Sequence, residues 1–206
     1  MGRLLVFAAL LAIGQAPAVA ASDVLPTVFG IQLGAPVSLP ECKRPDLPGL
    51  PPSEIASYEP VQDTTCRTQP IQLTNSPFRR ASVMFPHDKE PLIIVADQVS
   101  TYFAAGSDGV IAVEASTPSY GRAENIVAEL MAKFGKPTVD RIDKQVVHAT
   151  PLPSRHVVWH RPGFTVDYQS ISDDDVRYGE LMIRTDAYDK IDGADTLERG
   201  SRRTPL

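Results

Sequence analysis

The chain has 206 residues, of which 43% are hydrophobic and 22% charged, with 13 Gly, 19 Pro, 2 Cys and a formal charge of −5. Glycine is too sparse for a collagen-like repeat, two cysteines are too few for a disulfide miniprotein, and the apolar share is too high for wholesale disorder. A pI near 5.4 argues against a nucleic-acid partner held through a basic surface, which leaves one globular domain with or without an appendage.

Residues 1–20 combine a short basic start at Arg3, an apolar run from Leu4 to Ile13, and Ala18-Val19-Ala20. That is the pattern of an export signal cleaved after Ala20. The apolar run is shorter than the roughly 20 residues that span a bilayer. No later segment is apolar enough to stay inserted, and no cysteine follows the cut for acylation. Cleavage leaves 186 residues with a formal charge of −6, because Arg3 leaves with the signal. A periplasmic or secreted location follows, and in an oxidising compartment Cys42 and Cys66 read as a structural disulfide. On the chain-entropy account its loop contributes roughly 3 kcal/mol.

Ten prolines fall between Pro26 and Pro77, so residues 21–80 read as a Pro-rich segment. Its short strands are expected at Thr27–Leu33 and Ile71–Leu73, with an irregular loop tied by Cys42–Cys66. Residues 81–192 read as an α+β domain. A strand candidate at Ala81–Phe85 opens it. Leu92–Phe103 and Val110–Ala115 then flank a Gly106-Ser-Asp-Gly109 turn, a hairpin signal. From about Gly121 to Phe134 the apolar positions Ala123, Ile126, Val127, Leu130, Met131 and Phe134 keep helical spacing. Gly135 and Pro137 end that helix.

His156–His160 and Phe164–Tyr168 predict a second hairpin, with Trp159 opposite Val166 and Val157 opposite Tyr168. One face is then apolar and the other carries His156, His160, Thr165, Asp167 and Gln169. Tyr178–Thr185 is a last strand, and residues 193–206 read as a flexible tail. The fold class is α+β: a mostly antiparallel sheet with one main helix on one face.

Phe29-Gly-Ile-Gln-Leu-Gly-Ala-Pro36 with Leu39-Pro-Glu-Cys42, and Leu130-Met-Ala-Lys-Phe-Gly-Lys-Pro137 ahead of a Trp-bearing hairpin, resemble small uncharacterised exported proteins of Gram-negative bacteria. That resemblance carries no function. More distantly, a helix ending in Gly-x-Pro before an antiparallel sheet is similar to small lipoproteins of outer-membrane assembly and to proteinaceous β-lactamase inhibitors. Those families are binding modules. This chain departs from them in lacking the lipoprotein cysteine and the two-helix lead-in.

The candidate chemistry gathers at His148, His156, His160 and Asp167, whose imidazoles and carboxylate are of the type that holds zinc or copper. His156 and His160 share a face but stand about 13 Å apart along a strand at roughly 3.3 Å per residue, too far for one metal. An antiparallel sheet also needs a polar outer face in any case. Serines such as Ser100, Ser119 and Ser154 lack a G-x-S-x-G setting. Glu114, Asp167 and Asp173–Asp175 single out no carboxylate pair, and no calcium loop or nucleotide fingerprint is present. Trp159 and Tyr168 read as a core pair rather than a ligand-stacking pair.

No catalytic, cofactor or metal residue is therefore assigned. The reading is a non-enzymatic binding module for an unknown protein or envelope component, with recognition expected in the loop at residues 43–65. The alternatives are a metal-binding protein or hydrolase using the His156/His160/Asp167 face, and a structural accessory subunit of an envelope assembly. Intact mass spectrometry of the protein isolated from the cell envelope should give residues 21–206 less two hydrogens. A full-length or fully reduced mass would refute the leader and disulfide readings respectively.

Overall fold

The computed structural model describes residues 25–43, 63–95, 98–118, 120–147, 149–172 and 175–202. Within them the chain is α+β. Strands β1 (Thr27–Val28) and β2 (Ile31–Gln32) form a small hairpin. Strands β3 (Cys66–Arg67), β4 (Ile71–Gln72), β5 (Phe78–Met84), β6 (Gln98–Ala104) and β7 (Val110–Pro118) lead into helix α1 (Ala123–Phe134). Strands β8 (Val139–Val147), β9 (Thr150–Arg161), β10 (Phe164–Gln169) and β11 (Tyr178–Thr185) follow, and helix α2 (Asp186–Arg202) ends the described chain. The nine strands from β3 onward make one sheet in the order β3-β5-β6-β7-β11-β10-β9-β8, with β4 also on β5. Every ladder in it is antiparallel.

The β9–β10 hairpin takes the expected register, with Trp159 opposite Val166 and Val157 opposite Tyr168. Those four side chains are fully buried. They share a core with Ala123, Ile126, Val127 and Leu130 of α1 and with Val28, Ile31 and Leu33 of the first hairpin. Met131, expected on the same stripe, is 41% exposed. Helix α1 stops at Gly135, whose φ of 75° is the left-handed conformation that glycine adopts without steric cost. Three groups of β9 then hold that end. Trp159 Nε1 donates to the Gly135 carbonyl at 2.8 Å, and Arg161 donates to the carbonyls of Phe134 (3.1 Å from Nε) and Lys136 (2.9 Å).

Several expectations are corrected. Thr27–Leu33 is a hairpin, not one strand, because Phe29 and Gly30 both have positive φ (52° and 77°) and make a primed turn. The Phe29 ring packs edge-on against Phe85, which offsets the cost of that conformation for a bulky residue. Leu92–Val95 is turn rather than strand; Ile94 sinks into the core and β6 begins at Gln98. The segment boundary at 80–81 falls inside β5, and β3 and β4 pair with that strand, so the Pro-rich front is part of the same sheet. The boundary at 193 falls inside α2, a second helix that the sequence reading missed. Its start carries Thr185, whose hydroxyl accepts from the Tyr188 N–H at 3.4 Å, with Asp186 and Asp189 in the first turn. Both features favour a helix N-terminus.

Gly179 of β11 shows how closely the sheet packs. A Cβ there would sit 2.5 Å from Thr117 Oγ1 and 2.6 Å from the Gln169 carbonyl oxygen, whereas one at Gly121 would meet nothing within 4 Å. Gly179→Ala should therefore destabilise the protein by about 1–3 kcal/mol, with Gly121→Ala changing it by no more than about 0.5 kcal/mol. Urea unfolding midpoints check both, and equal midpoints would contradict the packing described.

Candidate functional site

Because Val157, Trp159, Val166, Tyr168, Leu181 and Ile183 turn into the core that α1 covers, their alternates turn the other way. That second face carries His156, His160, Thr165, Asp167 and Gln169, as expected, together with Glu180, Met182 and Arg184 from β11. The same alternation adds Glu114 and Ser116 from β7, Ser100 and Tyr102 from β6, and Arg80 and Ser82 from β5. Helix α2 lies along one end of this face. Tyr188 stacks on Phe78 (centroids 4.5 Å apart, planes 5° apart) and meets Tyr102 edge-on at 6.0 Å. Arg184 ties the helix to the sheet through Asp189, 2.6 Å from its Nε.

Between α2 and the sheet lies a groove of about 350 Å³. Its floor is Tyr102, Glu114, Asp167, Gln169, Glu180, Met182 and Arg184, and its wall is Tyr188, Asp189 and Asp192. Five carboxylates thus stand against one guanidinium. A second hollow of about 180 Å³ shares Glu114 with the first and is lined by Arg80, Ser82, Gln98, Ser100 and Ser116 among others. The two hollows lie side by side on the polar face, with Glu114 common to both.

His156 and Asp167 are brought together, with Nε2 2.9 Å from Oδ1. On its other side His156 Nδ1 lies 3.2 Å from both Asp143 Oδ2 and Arg141 Nη2. Asp167 continues the chain to Arg184 at 3.3 Å. A neutral ring gives its Nε2 proton to Asp167 and accepts from Arg141 at Nδ1. A protonated ring donates to both carboxylates. In either state both nitrogens are already engaged. The arrangement is a hydrogen-bonded row (Arg141, Asp143, His156, Asp167, Arg184, Asp189) of alternating charge rather than a base aimed at a substrate. The Arg141 guanidinium holds the Asp143 carboxyl below the usual carboxylate range.

His160 does not join that row; its Nδ1 meets Thr165 Oγ1 at 3.3 Å. His148, Ser119 and Asp173–Asp174 lie outside the described residues. Asp175 accepts from Arg177 and from its own loop, as a solvated acidic turn does. Ser154 is buried beside Ser170. Among the described residues no group of three or more His, Cys, Asp or Glu side chains is placed to hold a metal. Cys42 and Cys66 are bonded, with Cα atoms 4.9 Å apart. The loop between them, at 44–62, lies outside the described residues.

Sequence reading missed Tyr102, Glu180, Arg184, Tyr188, Asp189 and Asp192 as one surface. Alternation places each on a face, but their meeting depends on β6 and β7 lying beside β11 and on α2 folding back. The Tyr102 hydroxyl donates to Glu114. Burial, and next the Glu114 carboxylate, raise its pKa well above that of an ordinary phenol. Burial likewise pushes Tyr188 and the core residue Tyr168 up to about 12.

The chain matches no family model, no curated protein and no solved structure among those compared.

The three tyrosines give the fold a defined alkaline limit. Their folded pKa values lie above the unfolded value of 10.0. Their contribution is therefore complete below pH 10 and is lost as pH rises above it, through about 12 for Tyr168 and Tyr188 and beyond that for Tyr102. Phenolate absorbance followed together with far-UV circular dichroism should show a late ionisation step that coincides with unfolding. Complete tyrosine ionisation near pH 10 with the fold intact would contradict this placement.

Proposed function

We propose that the protein is an exported, non-enzymatic binding module that receives a cationic segment of an envelope partner in the groove between α2 and the sheet. The observation that carries this reading is the lining: five carboxylates and one guanidinium around about 350 Å³, with two phenols and the thioether of Met182. Excess negative charge in a concave, partly desolvated site attracts and orients cations more strongly than the same charge on a convex surface. Tyr102 and Tyr188 offer faces on which a guanidinium or ammonium stem packs. The engagement of both His156 nitrogens favours binding over proton transfer.

Export is supported by the leader pattern at residues 1–20 and by the disulfide, which persists in oxidising compartments. Among the described residues no helix is long and apolar enough to cross a membrane. Sequence signals alone favour the loop at 43–65 as the recognition element; the groove has the advantage of a floor built from strands.

Isothermal titration of the mature chain with short oligo-lysine and oligo-arginine peptides, and with an oligo-glutamate control, tests the proposal. The basic peptides should bind at micromolar concentrations and weaken several-fold between about 50 and 300 mM salt, where the screening length falls below the groove's own dimensions. Glu180→Gln combined with Asp192→Asn should weaken them by about tenfold, on the order of 1.4 kcal/mol, without lowering the melting temperature. Equal binding of acidic and basic peptides, or no binding by either, would overturn the reading.

A further inference from the structure

Strand β8 forms one end of the nine-stranded sheet and pairs only with β9. Among the described residues nothing pairs with its outer edge, and the direction of its backbone groups follows from its neighbour. Ile142 faces Arg155 in the ladder. The Arg155 N–H donates to Ser170 Oγ at 2.8 Å and its carbonyl accepts from the Ser170 N–H at 2.9 Å, both on the side away from β8. Ile142 and Arg155 are therefore a pair that exchanges no hydrogen bonds, and the N–H and C=O of Ile142 point outward. Alternation adds those of Asp140 and Lys144. Pro151 and Pro153, which have no N–H, stand opposite Val146 and Lys144, where the β8–β9 ladder needs no donor.

An open strand edge invites a further strand unless charge repels it. The charges on β8 are self-complementary about Ile142, running −, +, 0, −, + along Asp140-Arg141-Ile142-Asp143-Lys144. In an antiparallel pair of two copies with Ile142 on the twofold axis, Asp140 faces the partner's Lys144 and Arg141 faces the partner's Asp143, and the converse holds by symmetry. Ile142, 66% exposed, meets the partner's Ile142. Centring the pair on Arg141 instead sets two arginines opposite each other. Centring it on Asp143 or Asp140 sets two aspartates opposite, and on Lys144 two lysines. The one register that matches every charge is also one in which outward-pointing backbone groups face outward-pointing groups.

We propose that the protein self-associates edge to edge through β8, as a twofold antiparallel dimer centred on Ile142 that continues the sheet across two copies. This surface is separate from the groove beside α2, and its test does not depend on what the groove binds.

Sedimentation velocity of the mature, disulfide-bonded protein over a wide concentration range should show a monomer–dimer equilibrium. Ile142→Pro removes an outward N–H that the fold does not use and should weaken the dimer at least tenfold. Lys144→Asp, which sets like charges opposite each other at two places, should do the same and serves if the proline variant does not fold. Mild oxidation should crosslink Ile142→Cys into a covalent dimer. Val146→Cys should not crosslink, because its two copies would stand about 26 Å apart along the strands at roughly 3.3 Å per residue. A protein that stays monomeric at millimolar concentration would overturn the proposal. So would a dimer indifferent to Lys144→Asp, or equal crosslinking at 142 and 146.

Discussion

The indole nitrogen of Trp159 lies 2.8 Å from the carbonyl of Gly135, and the difference between the two faces of the sheet depends on that join. Trp159 is fully buried, so its N–H needs a partner inside the protein. The partner is the residue at which α1 must stop, because Gly135 turns into the left-handed region there. Arg161, two residues along the same strand and so on the same face, reaches the neighbouring carbonyls of Phe134 and Lys136. These carbonyls lie at the negative end of the helix dipole and accept well from a cation. With the helix end held this way, Ile126, Val127 and Leu130 cover Val157, Val166 and Tyr168. The alternate side chains are then committed to the opposite face.

That commitment explains what the opposite face contains. Its side chains are spaced by the pleat, so charges of both signs come close together while only partly buried. Arg184 shows the result. It touches Asp167 on β10 and Asp189 on α2, joining the His156 row to the helix that walls the groove. Helix α2 has no apolar stripe of the kind α1 has. Tyr188 and that guanidinium anchor its first turns to the sheet. The groove lies between this helix and the sheet, whereas α1 lies against the apolar core of the other face.

How much of this was legible follows the same logic. The β9–β10 register was readable because a one-residue slip would have mixed Trp159 and Tyr168 with His156 and Asp167. Helix α1 was readable from its stripe and its Gly135-Lys-Pro137 ending. Strand β8 was not, because it is solvated on both faces at the sheet's edge, so Val139, Ile142, Val146 and Val147 follow no period of two. Pro151 and Pro153 at the start of β9 are poor strand residues in general, yet they occupy places where no donor is needed. Helix α2 was hidden by its polarity, although Thr185, Asp186 and Asp189 carried a start signal. His156 and Asp167 were placed on one face correctly. The groove was not foreseen, since Tyr102, Glu114, Glu180 and Tyr188 come from four elements and no spacing along the chain relates them.

The bond between Cys42 and Cys66 closes residues 42–66 into a covalent ring whose two ends are fixed independently of what lies between them. Cys66 is held in the ladder opposite Met84, and the Cys42 N–H donates to the Arg67 carbonyl at 2.8 Å. A single backbone cut inside the ring leaves the molecule in one covalent piece, with its first hairpin still attached to the core. Residues can also be gained or lost inside the ring without moving either anchor. The disulfide thus keeps the first hairpin covalently tied to the sheet even where the chain between its two ends is cut.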